Sequence, residues 1–284
     1  MRLALVYLAR GVGNGLDAAD AFFTAYKTYP AGCEHDLIVI CKGWYDAEER
    51  RRLFKMAYDI GAEIVSMPDQ GLDFGAYMRI APSLPHDWVC FLSTNSRPLV
   101  KDWLKKMFIV AQGSEDIGLV GPTGSLGSIA GIYVPRISFS GLGSVIQYLV
   151  LPLRVAKSLL LYIIKLRDFR SFPNPHIRSS SFMVKTCLFK AFSSVRSIPN
   201  SKYGAYILES GRRGLSRYIL RQGYSIRVIG ADGISYEYPQ WHESCTFRSG
   251  SQSNLLIADR QTDVYKSSDS KARLIVEEVT WGNM

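Results

Sequence analysis

Over the first 120 residues, short apolar runs alternate with amphipathic stretches. Residues 3–9 (LALVYLA), 36–42 (DLIVICK), 63–67 (EIVSM), 88–93 (WVCFLS) and 117–122 (IGLVGP) have strand length and many β-branched side chains. Between them, 16–28, 46–60, 73–83 and 99–111 carry apolar positions at helical spacing, with Leu53, Met56, Ala57 and Ile60 on one face. This alternation predicts an α/β fold: a mostly parallel sheet with helices on both faces. Ligands of such sheets bind beyond the carboxyl ends of the strands. The polar run Ser93-Thr94-Asn95-Ser96, followed by Arg97, stands at one of those ends and is the first candidate site.

After residue 140 the rhythm breaks. Residues 141–172 form the most apolar stretch of the chain, with basic residues at 154, 157, 165, 167 and 170. A membrane-spanning helix needs about 20 nearly uncharged residues, and Pro152, Arg154 and Lys157 interrupt this one. Arg154, Lys157 and Lys165 among Leu153, Leu160, Leu161 and Ile164 predict an amphipathic insert lying on an anionic membrane surface. A buried helix or an oligomer contact remains the alternative. The globular pattern resumes at 176. Leu208, Leu215, Ile219 and Leu220 mark one helical face, which Ser210 would cap and Gly223 would follow. The chain thus reads as one domain over 1–240, carrying the insert, with an extension over 241–284 packed against it.

Composition sharpens the picture. The chain has 284 residues, 47% of them hydrophobic, enough to bury a large core. A net charge of +9 invites phosphates, nucleic acid or an anionic membrane. Lys and Arg are spread out, apart from Arg50-Arg51-Arg52, which speaks against a nucleic-acid partner. Five scattered cysteines without a C-x-x-C pair, two of them (Cys41, Cys90) inside strand-like runs, predict buried thiols, a reducing cytoplasmic setting and no zinc.

Two kinds of enzyme fit the first strands. Gly11, Gly13 and Gly15 follow the first strand as a phosphate loop would, but fall one residue short of G-x-G-x-x-G. Lys42 stands where an acidic ribose ligand is expected, so a dinucleotide-dependent oxidoreductase would use that lysine on a 2′-phosphate. The second candidate accounts for more of the chain. The stretches YKTYPAGCEHDLIVICKG (26–43), DQGLDFGAYMRIAPSLPHDWVCFLSTNSRP (69–98), GLVGPTGS (118–125), HIRSSSFMV (176–184) and ESGRRGLSRYILRQGY (209–224) resemble GT-A-type glycosyltransferases, particularly the bacterial polysaccharide and rhamnan-synthesis group.

That resemblance implies a Rossmann-like GT-A domain, a nucleotide-sugar donor over the first strands and a glycan or glycolipid acceptor in the second half. It matches Glu209 to the carboxylate that removes the acceptor proton in inverting members, although Ser210 replaces the motif's second acid. A sugar hydroxyl is a poor nucleophile until a positioned base takes its proton. Ser93-Thr94-Asn95 occupies the place of the family's metal-binding Asp-x-Asp. Neutral oxygens are poor primary ligands for Mg²⁺ or Mn²⁺, so metal-independent donor binding through Ser93, Asn95, Ser96 and Arg97 is expected. Arg10, Asp73 and Arg79 are further donor-binding candidates, and His176, Arg178, Asp232 and Trp241 are acceptor-side candidates. The enzyme so implied works at the inner face of the cell membrane, either alone or as an oligomer. A non-catalytic sugar- or nucleotide-binding protein of the same fold is the remaining alternative.

Overall fold

The computed structural model describes residues 1–134 and 145–282. The first half runs β1 (Leu3–Arg10), α1 (Gly15–Thr28), β2 (Asp36–Lys42), α2 (Ala47–Tyr58), β3 (Glu63–Ser66), α3 (Leu72–Ile80), β4 (Trp88–Leu92), β5 (Arg97–Pro98), α4 (Trp103–Gln112), β6 (Ile117–Gly121) and β7 (Gly124–Ser125). The second half adds α5 (Val145–Lys165), β8 (His176–Ile177), β9 (Ser181–Lys185), α6 (Thr186–Ser194), α7 (Lys202–Ser210), α8 (Leu215–Arg221), β10 (Ser225–Ile229), β11 (Ser235–Tyr236), β12 (Ile257–Ala258), α9 (Arg260–Ser267) and α10 (Ser270–Trp281).

The main sheet has the order β11-β10-β6-β9-β4-β1-β2-β3. The pairs β1–β2, β1–β4, β2–β3 and β6–β10 are parallel, while β9 runs antiparallel between β4 and β6. The mostly parallel α/β sheet expected from the β-α rhythm is therefore present. Strand alternation divides the core in two. Ala4, Val6 and Leu8 of β1 face a core built with α3, α6 and α8. Leu5, Tyr7 and Ala9 face the other, built with α1, α2 and α4.

Reversal of β9 decides where the site lies. An antiparallel strand starts at the edge where its parallel neighbours end. Residues 178–181 therefore arrive beside the carboxyl ends of β1, β2 and β4. The ribbon β7–β8 pairs Ser125 with His176 just outside this edge. A second ribbon, β5–β12, ties the 241–284 extension to the segment after β4.

One expected helix is two. The face drawn through Leu208, Leu215 and Ile219 is split between α7, which ends at Ser210, and α8, which begins at Leu215. A Cβ on Gly211 would lie 2.5 Å from the Ile207 carbonyl oxygen, and one on Gly214 would lie 2.8 Å from that of Glu209. The glycines let the chain fold back tightly there. Ser210 consequently caps no helix start: its hydroxyl donates to the Tyr206 carbonyl inside α7. Gly223, with φ near +84°, does follow the end of α8 as expected.

In the insert, α5 covers 145–165; residues 141–144 and the Arg154 side chain lie outside the described residues. No described helix is long and apolar enough to cross a membrane.

Candidate active site at the carboxyl edge of the sheet

Glu209 is the last-turn carboxylate of α7, and Oε1 accepts a 2.8 Å hydrogen bond from the Ser179 backbone N–H. Among the described residues, nothing donates to its Oε2. A negative charge at a helix C-terminus opposes the macrodipole, at a typical cost of about 0.3–1 kcal/mol. The carboxylate thus sits where helix stability alone would not put it.

Glu209 lines a cleft of about 450 Å³ together with His176, Arg178, Lys165, Tyr206 and Arg248. His176 is buried, and burial holds its pKa below the usual imidazole value against the opposing pull of Glu209. Its Nδ1–H donates to the Asn174 carbonyl at 2.8 Å. A carbonyl can only accept, so the neutral ring carries its proton on Nδ1 and keeps a lone pair on Nε2. Arg178 is a structural anchor. It ion-pairs with Asp259 at 2.7 Å, both side chains 6% exposed, and its guanidinium lies 4.0 Å from the Phe247 ring centroid. The Arg178 pair holds the Asp259 carboxyl below its usual value even though burial pushes the other way.

A second cluster forms where β1, β2 and α3 converge. Arg10 grips Asp69 with Nε at 2.8 Å and Nη2 at 2.9 Å, a bidentate pair. Lys42 is buried, with Nζ 2.8 Å from the Leu72 carbonyl, 3.3 Å from that of Gln70 and 3.4 Å from Asp69. Burial lowers the Lys42 pKa and Asp69 pulls it back up. Its ammonium is already committed, so the lysine that an oxidoreductase would offer to a 2′-phosphate is not free. Gly11 belongs to the same packing: a Cβ there would lie 2.6 Å from the Trp44 ring. Asp73 stands in the first turn of α3, its pKa raised by burial and by Glu209 while Lys42 and Arg10 oppose. Asp73 thus feels the charge of Glu209, which couples the two clusters electrostatically.

The segment after β4 is held in place by its own polar groups. Ser93 N–H and Ser96 Oγ both donate to the Ser180 carbonyl, at 2.7 Å each, and the two serine hydroxyls meet at 3.0 Å. No carboxylate stands in the run, and two of its oxygens are engaged. This donor set does not fit a divalent cation. Asn95 is half-buried beside it.

Of the residues singled out in the sequence, Glu209, His176 and Arg178 meet in the cleft, while Arg10 and Asp73 belong to the second cluster and interact through their charges. Arg79 is exposed and reaches the Gln70 side chain at 3.3 Å. Arg97 is bidentate on Asp263, at 2.8 and 2.6 Å, and ties the segment after β4 to α9. Asp232 closes the β10–β11 turn, accepting from Tyr236 at 2.8 Å and Asn254 at 2.9 Å. Trp241 is fully buried and donates to the Tyr236 carbonyl, which leaves no ring face for a sugar. Asp69, Asp259, Tyr203 and Arg248 escaped the sequence reading. Asp69 carried a signal, an acid following the third strand, whereas Asp259 and Arg248 sit in the polar C-terminal stretch and carried none.

No family model matches the sequence, and no curated protein matches it. Among solved structures, the chain is similar to glucosyl-3-phosphoglycerate synthase from Mycobacterium tuberculosis in complex with uridine diphosphate, at 16% identity over 66% of this chain and 57% of that chain, with a TM-score of 0.37. The same synthase with Mn²⁺, uridine diphosphate and phosphoglyceric acid matches at 16% identity over 66% of this chain and 56% of that chain, TM-score 0.37. This chain therefore spans a little over half the length of those synthase chains. It is also similar to CMP:2-keto-3-deoxy-manno-octonic acid synthetase complexed with CTP, at 9% identity over 81% of this chain and 89% of that chain, TM-score 0.42.

Proposed function

We propose that this protein is an inverting GT-A-type glycosyltransferase. It would move a sugar from a nucleotide-sugar donor to a hydroxyl of a lipid-linked or polysaccharide acceptor at the inner face of the cell membrane. The observation that carries this reading is Glu209, a carboxylate fixed by the Ser179 N–H at the wall of a cleft, at a helix end that electrostatics disfavours. The sequence resemblance to the bacterial polysaccharide group supports it and names the same residue.

In this mechanism the acceptor hydroxyl enters the cleft and gives its proton to Glu209 as its oxygen attacks the anomeric carbon. The nucleoside diphosphate leaves from the opposite face with the bonding electron pair, so configuration inverts. In this reading Asp73, and Arg10 by way of its pair with Asp69, would border the donor. Donor binding proceeds without a divalent metal, because the residues after β4 do not supply metal ligands.

Glu209→Gln tests the assignment. The amide keeps the shape and the bond from Ser179 but removes basicity. General-base catalysis contributes about 10²- to 10⁴-fold, so transfer should fall by that order while nucleotide affinity and melting temperature hold. A folded variant that transfers sugar at the wild-type rate would shift the base to the His176 Nε2 lone pair or overturn the reading.

A further inference from the structure

Arg248 is the one guanidinium of the cleft without a carboxylate partner among the described residues. Its Nη1 donates to Thr280 Oγ1 at 3.2 Å and its Nη2 to Gln261 Oε1 at 3.1 Å, both neutral. Its Nε is buried and unpartnered. The Arg248 and Arg178 guanidiniums lie 4.9 and 4.0 Å from the centroid of one ring, Phe247; Asp259 ion-pairs with Arg178 and reaches Arg248 only through its longer-range charge. Lys165, the third cation of the lining, rests over the Tyr203 ring at 4.0 Å. Against Lys165 and Arg248 the lining sets a single carboxylate, Glu209.

A half-buried cation is costly unless something anionic completes it. Burial and Arg178 together push the Arg248 pKa down to about 10 despite the opposing charge of Asp259, and an incoming anion would act in the same direction as Asp259. Arg248 also sits on the C-terminal extension and lines the same cleft as Glu209 of α7. We propose that Arg248 is an anion subsite of the acceptor: the cleft takes an acceptor bearing a phosphate ester, whose charge docks on Arg248 while its sugar hydroxyl faces Glu209. The inference rests on the cleft being the acceptor site, and it names that acceptor's chemical class.

Anion binding can be read without donor or turnover, so it stands or falls separately from catalysis. Inorganic phosphate and butyl phosphate, with butanol as the neutral control, are titrated by calorimetry into wild type, Arg248→Gln, Arg248→Lys, Gln261→Glu and the surface control Arg51→Gln. Butyl phosphate should bind and butanol should not. Arg248→Gln should weaken binding about tenfold or more, the scale of one charge-assisted hydrogen bond. Arg248→Lys should restore part of it, and Arg51→Gln none of the loss. Gln261→Glu places a carboxylate against an intact Arg248 and should abolish binding, which keeps the test alive if Arg248→Gln does not fold. Phosphatidylglycerol against phosphatidylcholine vesicles separates the sources. Arg248-dependent binding of free butyl phosphate assigns a soluble ester, and Arg248-dependent binding to phosphatidylglycerol alone assigns a lipid headgroup. Binding indifferent to Arg248 and Gln261, or phosphate displaced stoichiometrically by uridine diphosphate, overturns the proposal; the second result would give the subsite to the donor.

Discussion

Ser93 and Ser96 show how a residue's chemistry depends on where its partners stand. Their side chains could ligate weakly or bind a nucleotide, but Ser96 Oγ is committed to the Ser180 carbonyl and Ser93 Oγ to Ser96. The expected outcome is that uridine diphosphate or another nucleoside diphosphate binds equally well in EDTA and in Mn²⁺. A loss of affinity of more than about tenfold on chelation, or roughly 1.4 kcal/mol, would mean that carboxylates elsewhere complete a metal site. At this scale the sequence was readable where chemistry was local. Glu209 could be picked out because a carboxylate preceding a Gly-Tyr pair fits a known pattern, and Lys42 stood out because its charge was wrong for a ribose. What could not be read were pairings across long separations: Arg97 with Asp263, Arg178 with Asp259, and Arg10 with Asp69. These turn cations that look available in sequence into structural anchors, and they leave Arg248, which looks unremarkable, without an ion-pair partner among the described residues.

The first-half strands were legible nearly to the residue, whereas α4 starts four residues later than its apolar spacing suggested. All five strands expected in the first half appear where β-branched runs placed them, and β1, β2, β4 and β6 are apolar because a strand buried on both faces must be. Very short ribbons such as β7–β8 and β5–β12 have no period to detect, yet they carry His176 and Arg97. The tight Gly211 and Gly214 turn likewise broke a helical pattern that hydrophobicity alone would continue. The helix α5 presents Leu153, Leu160 and Ile163 at 72%, 59% and 55% exposure, spaced as one stripe, with Lys157 and Arg167 exposed alongside. An apolar stripe beside cations gains from both burial and surface charge at an anionic bilayer. Wild type should therefore float with anionic vesicles. Replacing Leu160, Ile163 and Ile164 with serine, or Arg154, Lys157, Lys165 and Arg167 with glutamine, should leave it in the soluble fraction. Because the three apolar side chains are already about half exposed or more, the serine variant should melt close to wild type. A large drop in melting temperature would make α5 a core element. A wild-type dimer that the serine variant dissociates would make it an oligomer contact.

Taken whole, the molecule is a sheet with two cores, and its burial of ionisable groups on both faces sets its response to pH. His35 lies among the helices of one face, its Nε2 2.7 Å from Tyr26 and its Nδ1–H donating to the Cys33 carbonyl at 2.9 Å, and burial lowers its pKa. His176 is lowered for the same reason at the cleft. A base with a depressed folded pKa takes up its proton in the unfolded chain first, from the ordinary value of 6.5 downward. Stability should therefore be full above about pH 6.5 and fall as pH drops below it. Two such protons limit the slope to about 2.7 kcal/mol per pH unit, twice the 1.36 kcal/mol per proton. Acids with raised pKa act in the opposite sense. Burial raises the thiols of Cys33, Cys41 and Cys90 from 9.0, so the unfolded chain ionises first and stability falls again above about pH 9. Scanning calorimetry from pH 5 to 10 should show a plateau near pH 7 to 8.5 with losses on both sides. Replacing His35 and His176 with asparagine should flatten the acid limb and leave the alkaline limb in place. A melting temperature that stays constant from pH 8 down to 5 in wild type would show that neither imidazole is held neutral by the fold, and would remove the Nε2 lone pair of His176 as a base held ready in the cleft.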